Sequence, residues 1–277
     1  MMKRGWFCLA VVLGVLMMAF PAFAHFQLII PSKLFIEGSP QKVKLFMPFT
    51  HPMEGGPTME MAKPIQFGVM VGGKKLDLTD KLKPIKLDVF PHWNPNYKEY
   101  KGKKATAYVA EYLVKMPGDY QFFIVPKPYF EPAEEKFIWQ IAKVVVSAFG
   151  AEEGWDQPVG LKAEIIPLVK PYAIWAGNVF RGKVLIDGKP AAGIEVEVEY
   201  YNQDGAIGDL PSDAFITQVV KTDENGVFSY AIPWPGWWGF SALGDGGKME
   251  YKGKEYPVEL DAVIWVKAFA LPKGAER

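Results

Sequence analysis

The stretch NVFRGKVLIDGKPAAGIEVEVEYYN, Asn178 to Asn202, decides the fold class. Asp187-Gly188 stands between two alternating runs. A two-residue hairpin turn needs positive φ, which Gly adopts freely and Asp at small cost, so the dipeptide predicts a tight antiparallel hairpin. The same grammar returns in ITQVVKTDENGVFSYAIPWPGWWGFSAL, with an Asn225-Gly226 turn and a Pro-Gly corner between strands. Short strands at such spacing predict an antiparallel β-sandwich, immunoglobulin-like or transthyretin-like, over residues 172–270.

The first half follows the same rules. KVKLFMPFT, Lys42 to Thr50, places Val43, Leu45, Met47 and Phe49 on one face, the period of a half-buried strand. IQFGVMV, ATAYVAEYLVKM, DYQFFIV and KFIWQIAKVVVSAF read as further strands, giving a sandwich over 25–150. AEEGWDQPVG, Ala151 to Gly160, breaks the pattern with Gly, Pro and charge, and a linker is expected over 151–171. The fold class is therefore all-β, with two tandem antiparallel β-sandwich domains. No amphipathic helix of useful length interrupts either.

Ahead of the first sandwich, Lys3 and Arg4 precede the apolar run WFCLAVVLGVLMMAF and the triplet Ala22-Phe23-Ala24. That is the three-part pattern of a signal peptide over 1–24, with cleavage predicted after Ala24 and His25 as the first mature residue. The alternative is an uncleaved anchor, since the run is about long enough for a marginal span. No later apolar run approaches that length, so no transmembrane segment is expected in the mature chain. Cys8, the single cysteine, would leave with the signal, and no disulfide or thiol nucleophile would remain. With 31 basic and 31 acidic residues the chain is balanced, which argues against a nucleic-acid partner.

The chain has three histidines, His25, His51 and His92, and all fall in the first half. If Phe26–Ile30 pairs antiparallel with Lys42–Phe49, the start of the first strand lies beside the end of the second, and His25 meets His51. An N-terminal histidine offers its α-amine and ring Nδ1 to one metal ion as a chelate. The imidazoles of His51 and His92 would complete a nitrogen set suited to divalent nickel, cobalt, copper or zinc. Met53, Glu54, Met59, Glu60 and Met61, in the loop HPMEGGPTMEMAKP, are weaker candidates; the methionines could equally fill the core beneath that loop. A chain start is ordinarily exposed, so one residue added before His25 should weaken metal binding and leave stability almost unchanged. Catalytic signatures are missing: there is no Gly-x-Ser-x-Gly, phosphate loop or His-Glu-x-x-His, and the chain reads as a non-enzyme. PGWWGF, Pro235 to Phe240, reads as core packing, with a carbohydrate platform as its rival.

AHFQLIIPS, FTHPMEGGPTMEMAKPIQFGVMV, PGDYQFFIVPKPYFEP, KPYAIWAGNVFRGKVLIDGKP, VEVEYYN and TDENGVFSYAIPWPGWWGF together resemble the DUF4198 family. The resemblance runs from His25 to about Lys267. It implies a periplasmic metal-binding accessory protein that captures nickel or cobalt for an inner-membrane metal transporter of the energy-coupling-factor type. His25 and the histidine of HPMEGG, His51, are the residues it carries over. A copper carrier or histidine-brace protein, and a structural or glycan-binding β-sandwich module, are the alternatives.

Overall fold

The structure is a computed structural model describing residues 25–90 and 93–274. The expected signal segment and His92 lie outside the described residues. Strands dominate, and the helical elements among the described residues are the short 3₁₀ turns Thr79–Lys81, Pro95–Tyr100 and Asp213–Phe215.

Gln41–Met47 has the expected period of two, with Val43, Leu45 and Met47 buried and Lys42 and Lys44 exposed. Pro48, which has no N–H for a ladder, ends it, and Phe49–Thr50 pairs separately with Phe26–Gln27. A four-stranded sheet forms around this strand in the order Ile30–Pro31, Gln41–Met47, Lys104–Val114, Lys83–Asp88. A second small sheet forms around Val179–Ile186, which pairs with Ala163–Pro167, Lys189–Pro190 and Val227–Ala231. Its hairpin turns at Asp187 and Gly188, with φ of 48° and 73°.

An eleven-stranded sheet lies between the two. Its main path runs Gln218–Lys221, Glu195–Tyr200, Gly236–Tyr251, Lys254–Phe269, Lys136–Ala148, Gly118–Val125, Gln66–Val71, Lys74–Asp77. The halves of the chain join where Lys136–Ala148 runs parallel to Lys254–Phe269, from Phe137↔Val258 to Val144↔Trp265. Side chains alternate across this sheet and so serve two cores. Val144, Val146, Val263 and Trp265 face the core shared with the first small sheet. Ile141, Leu260, Ala262, Ile264 and Val266 face the core shared with the second. The two sandwiches thus use opposite faces of one sheet.

One expected boundary changes. The span 151–171 is not a bare linker, because Ala163–Pro167 is a strand buried at every position. It is held by Glu164, whose carboxylate accepts from Lys143 Nζ at 2.7 Å and from the backbone N–H groups of Val159 and Gly160 at 2.8 and 3.0 Å. A buried carboxylate with that many donors fixes the chain around it. Pro235 to Phe240 feeds the start of Gly236–Tyr251, where Trp238 and Phe240 are buried in the second core.

Candidate functional site

Phe26 pairs with Thr50, so His25 and His51 stand one step beyond a matched antiparallel pair, where the strand ends meet. Their ring centroids are 4.4 Å apart at 50°. Both are buried, at 8% and 6% exposure. Phe49 and Tyr129 flank the His25 ring, with centroids at 5.5 and 6.0 Å.

His25 Nε2 lies 3.2 Å from Glu131 Oε2. In a neutral ring that contact uses Nε2–H as donor and puts the acceptor lone pair on Nδ1. Glu131 comes from Tyr129–Glu131, which pairs back on the shared sheet with Glu131 opposite Lys136. Sequence reasoning missed it. The Tyr-x-Glu alternation before the KFIWQ strand marks a hairpin, but nothing local says that the hairpin ends beside His25.

The backbone of His25 is gripped as well. Gln140 Nε2 donates to His25 O at 2.5 Å, and Gln27 N–H donates to Gln140 Oε1 at 2.7 Å. Trp265 Nε1–H donates to Gln27 O at 2.9 Å. The expectation of an exposed chain start is therefore corrected: the first strand lies on the shared sheet, and side chains of that sheet hold its backbone.

The His51 loop is fixed from three directions. It closes on itself through Gly56 N–H to His51 O at 3.1 Å. The second half meets it where Asn202 donates to Pro52 O through its N–H and to Met53 O through its side chain, each at 3.1 Å. Trp93 is wedged between two glycines with positive φ: a Cβ on Gly55 would sit 2.2 Å from its ring, and one on Gly205 2.6 Å. A cavity of about 500 Å³ opens beside His51, walled by Pro48, Leu87, Trp93 and Tyr201, with Gln203 and Asp204 alongside.

The weaker candidates have other partners. Met61 lies in the first core with Met59 packed against it, and Met53, within the loop, is buried. Glu60 accepts from the Thr106 N–H at 2.6 Å and lies 3.6 Å from Lys86. Burial pushes the Glu54 carboxyl above the usual range, although a hydrogen bond from Tyr97 opposes this. His92 lies outside the described residues; its neighbour Trp93 packs on the loop of His51. Among the described residues, no group of three or more His, Cys, Asp or Glu is arranged to hold a metal ion. Among the described residues, the rings of His25 and His51 and the carboxylate of Glu131 come together here.

Fold and site define a class: an all-β protein of two sandwiches on a common sheet, with a buried histidine pair where its first strand begins. The sequence profile of DUF4198, a domain of unknown function, matches residues 22–246, and the chain belongs to that family. No curated protein matches the sequence. Among solved structures, the D0-D1 domain of intimin is 14% identical, covering 89% of this chain and 100% of that one, with a TM-score of 0.23. The fibronectin(III)-like modules of Clostridium thermocellum CbhA are 9% identical, covering 90% and 100%, with a TM-score of 0.21. Among the described residues, no helix is long and apolar enough to cross a membrane.

Proposed function

We propose that the chain, cut after Ala24 and exported to the periplasm, binds one divalent transition-metal ion as an accessory protein of a nickel or cobalt transporter in the inner membrane. The donors are the α-amine and Nδ1 of His25 and the imidazole of His51, with His92 as the remaining nitrogen. The observation that carries this reading is the buried ring pair, 4.4 Å between centroids, with Glu131 on the Nε2 side of His25. A carboxylate behind an imidazole raises its basicity and holds its orientation, and here it favours the tautomer that a chelate with the α-amine requires. The protein carries the ion and does not transform a substrate.

Divalent copper is the second reading. An amine and two imidazoles form a compact nitrogen set that copper binds strongly, while the core positions of Met59 and Met61 disfavour a thioether site for monovalent copper. Both readings are tested by titrating the chain that begins at His25 with nickel, cobalt, copper and zinc, beside His51→Ala and a chain with one added N-terminal glycine. The expected result is one ion per chain, with affinity lowered at least about tenfold in each altered protein. Equal affinities in all three would overturn the His25–His51 site.

A further inference from the structure

We infer that the buried carboxyl of Asp261 receives the α-amine that cleavage after Ala24 creates at His25. The inference rests on the processing step of the proposed function but not on metal binding. Cleavage hydrolyses the Ala24–His25 amide, leaving a carboxylate on Ala24 and an ammonium group on His25.

Asp261 belongs to the final strand, Lys254–Phe269, and is fully buried at 0% exposure. Its Oδ2 accepts from Gln140 Nε2 at 3.1 Å, whereas its Oδ1 is buried with no hydrogen-bond partner among the described residues. A buried carboxyl oxygen in that condition is uncommon in native proteins and costs free energy unless a donor arrives. The charged groups around it do not supply one. Glu197 and Glu259 are of like charge, and Lys136 is engaged by Glu259 and Glu134 at 2.7 and 2.6 Å. Burial first, then Glu259, pushes the Asp261 carboxyl well above the usual range.

Gln140 links this carboxyl to the chain start. Its one amide nitrogen donates both to Asp261 Oδ2 and to His25 O, and its oxygen accepts from the N–H of Gln27. In an extended strand the N–H and C=O of one residue point to the same edge, and the edges alternate. Leu28 N–H points the other way, donating to Pro48 O at 2.9 Å. The nitrogen of His25 therefore lies on the Gln140 edge, the side on which Asp261 keeps an unused oxygen. An ammonium there neutralises the buried carboxylate; a metal-bound amine still has N–H bonds to donate to it.

The test is a four-protein comparison in EDTA, so that metal plays no part: the chain beginning at His25 and the same chain with one added glycine, each with and without Asp261→Asn. The melting temperature of the mature chain should fall by roughly 5 °C or more on substitution, because an ammonium loses its partner. The extended chain should be unchanged or stabilised by the same substitution. Acylation of the α-amine near pH 7, followed by mass spectrometry, should be slowed at least about tenfold in the mature chain relative to an unfolded peptide and restored by Asp261→Asn. Equal melting shifts in the two chains, or a freely reactive amine in the mature protein, would overturn the inference. If the mature Asp261→Asn chain does not fold, amine reactivity in the unsubstituted chain decides. A chain that binds no metal but shows the coupled shifts would remove the metal reading and leave this one standing.

Discussion

Glu131 fixes one ring nitrogen of His25 and so decides which nitrogen faces a ligand. Replacing it with Gln keeps an acceptor but removes the charge, and the affinity of the mature chain for nickel or copper should fall about 10- to 100-fold. Titration calorimetry would read that loss, and an unchanged affinity would make Glu131 a bystander. At this scale the sequence was partly legible. The meeting of His25 and His51 follows from strand pairing, which depends only on residues 25–51. Glu131, Gln140 and Asp261 come from distant segments. Yet Gln140 lies inside the mostly apolar KFIWQIAKVVVSAF, and a polar residue in a buried run is a signal that it must meet a partner.

Lys143 is another polar residue of that run, fully buried, and its partner Glu164 turns an expected linker into a strand. Both side chains are 1% exposed, and burial draws the lysine pKa down while Glu164 partly restores it. Replacing Lys143 with Met would strand the Glu164 carboxylate, so urea unfolding should show a loss of about 3–5 kcal/mol. A change under about 1 kcal/mol would mean that the three backbone donors of Val159, Gly160 and Leu161 suffice for that carboxylate. The hairpins were legible because positive φ at Gly188 and Gly226 is a local demand. The strand Ala163–Pro167 was not, because its partner Val179–Ile186 begins only after a further turn and its ion pair lies in the other half of the chain.

Across the whole molecule, alternation in EVEVEYYN correctly separates Val196 and Val198 from Glu197 and Glu199, but it cannot say what covers the glutamate face. In the folded chain that face looks toward the first half. Glu199 is 1% exposed and accepts from the Met53 N–H at 3.1 Å. Burial, and then Glu259, raises Glu197 to about 7. The folded chain keeps that proton while the unfolded chain releases it near pH 4.5, so between those values the folded state binds more protons. Stability should accordingly fall as pH rises from about 4.5 to 7, by on the order of 1–3 kcal/mol from this group, and stay at its lower value above. Glu197→Gln should flatten that slope in urea melts at several pH values; an identical slope would exclude Glu197 as its source.

The hydrogen bond from Trp265 to Gln27 spans 238 residues of chain, and the parallel joint that carries Trp265 forms only when Lys254–Phe269 enters the sheet. The strand pairing that brings the two histidines together is local, but the floor beneath them is not. That floor is laid by the strand Lys254–Phe269, so a polypeptide emerging N-terminus first cannot assemble the pocket until that strand has appeared. Order of synthesis and order of assembly run in opposite directions, and the strand Phe26–Gln27, made early, is among the last to be locked in place.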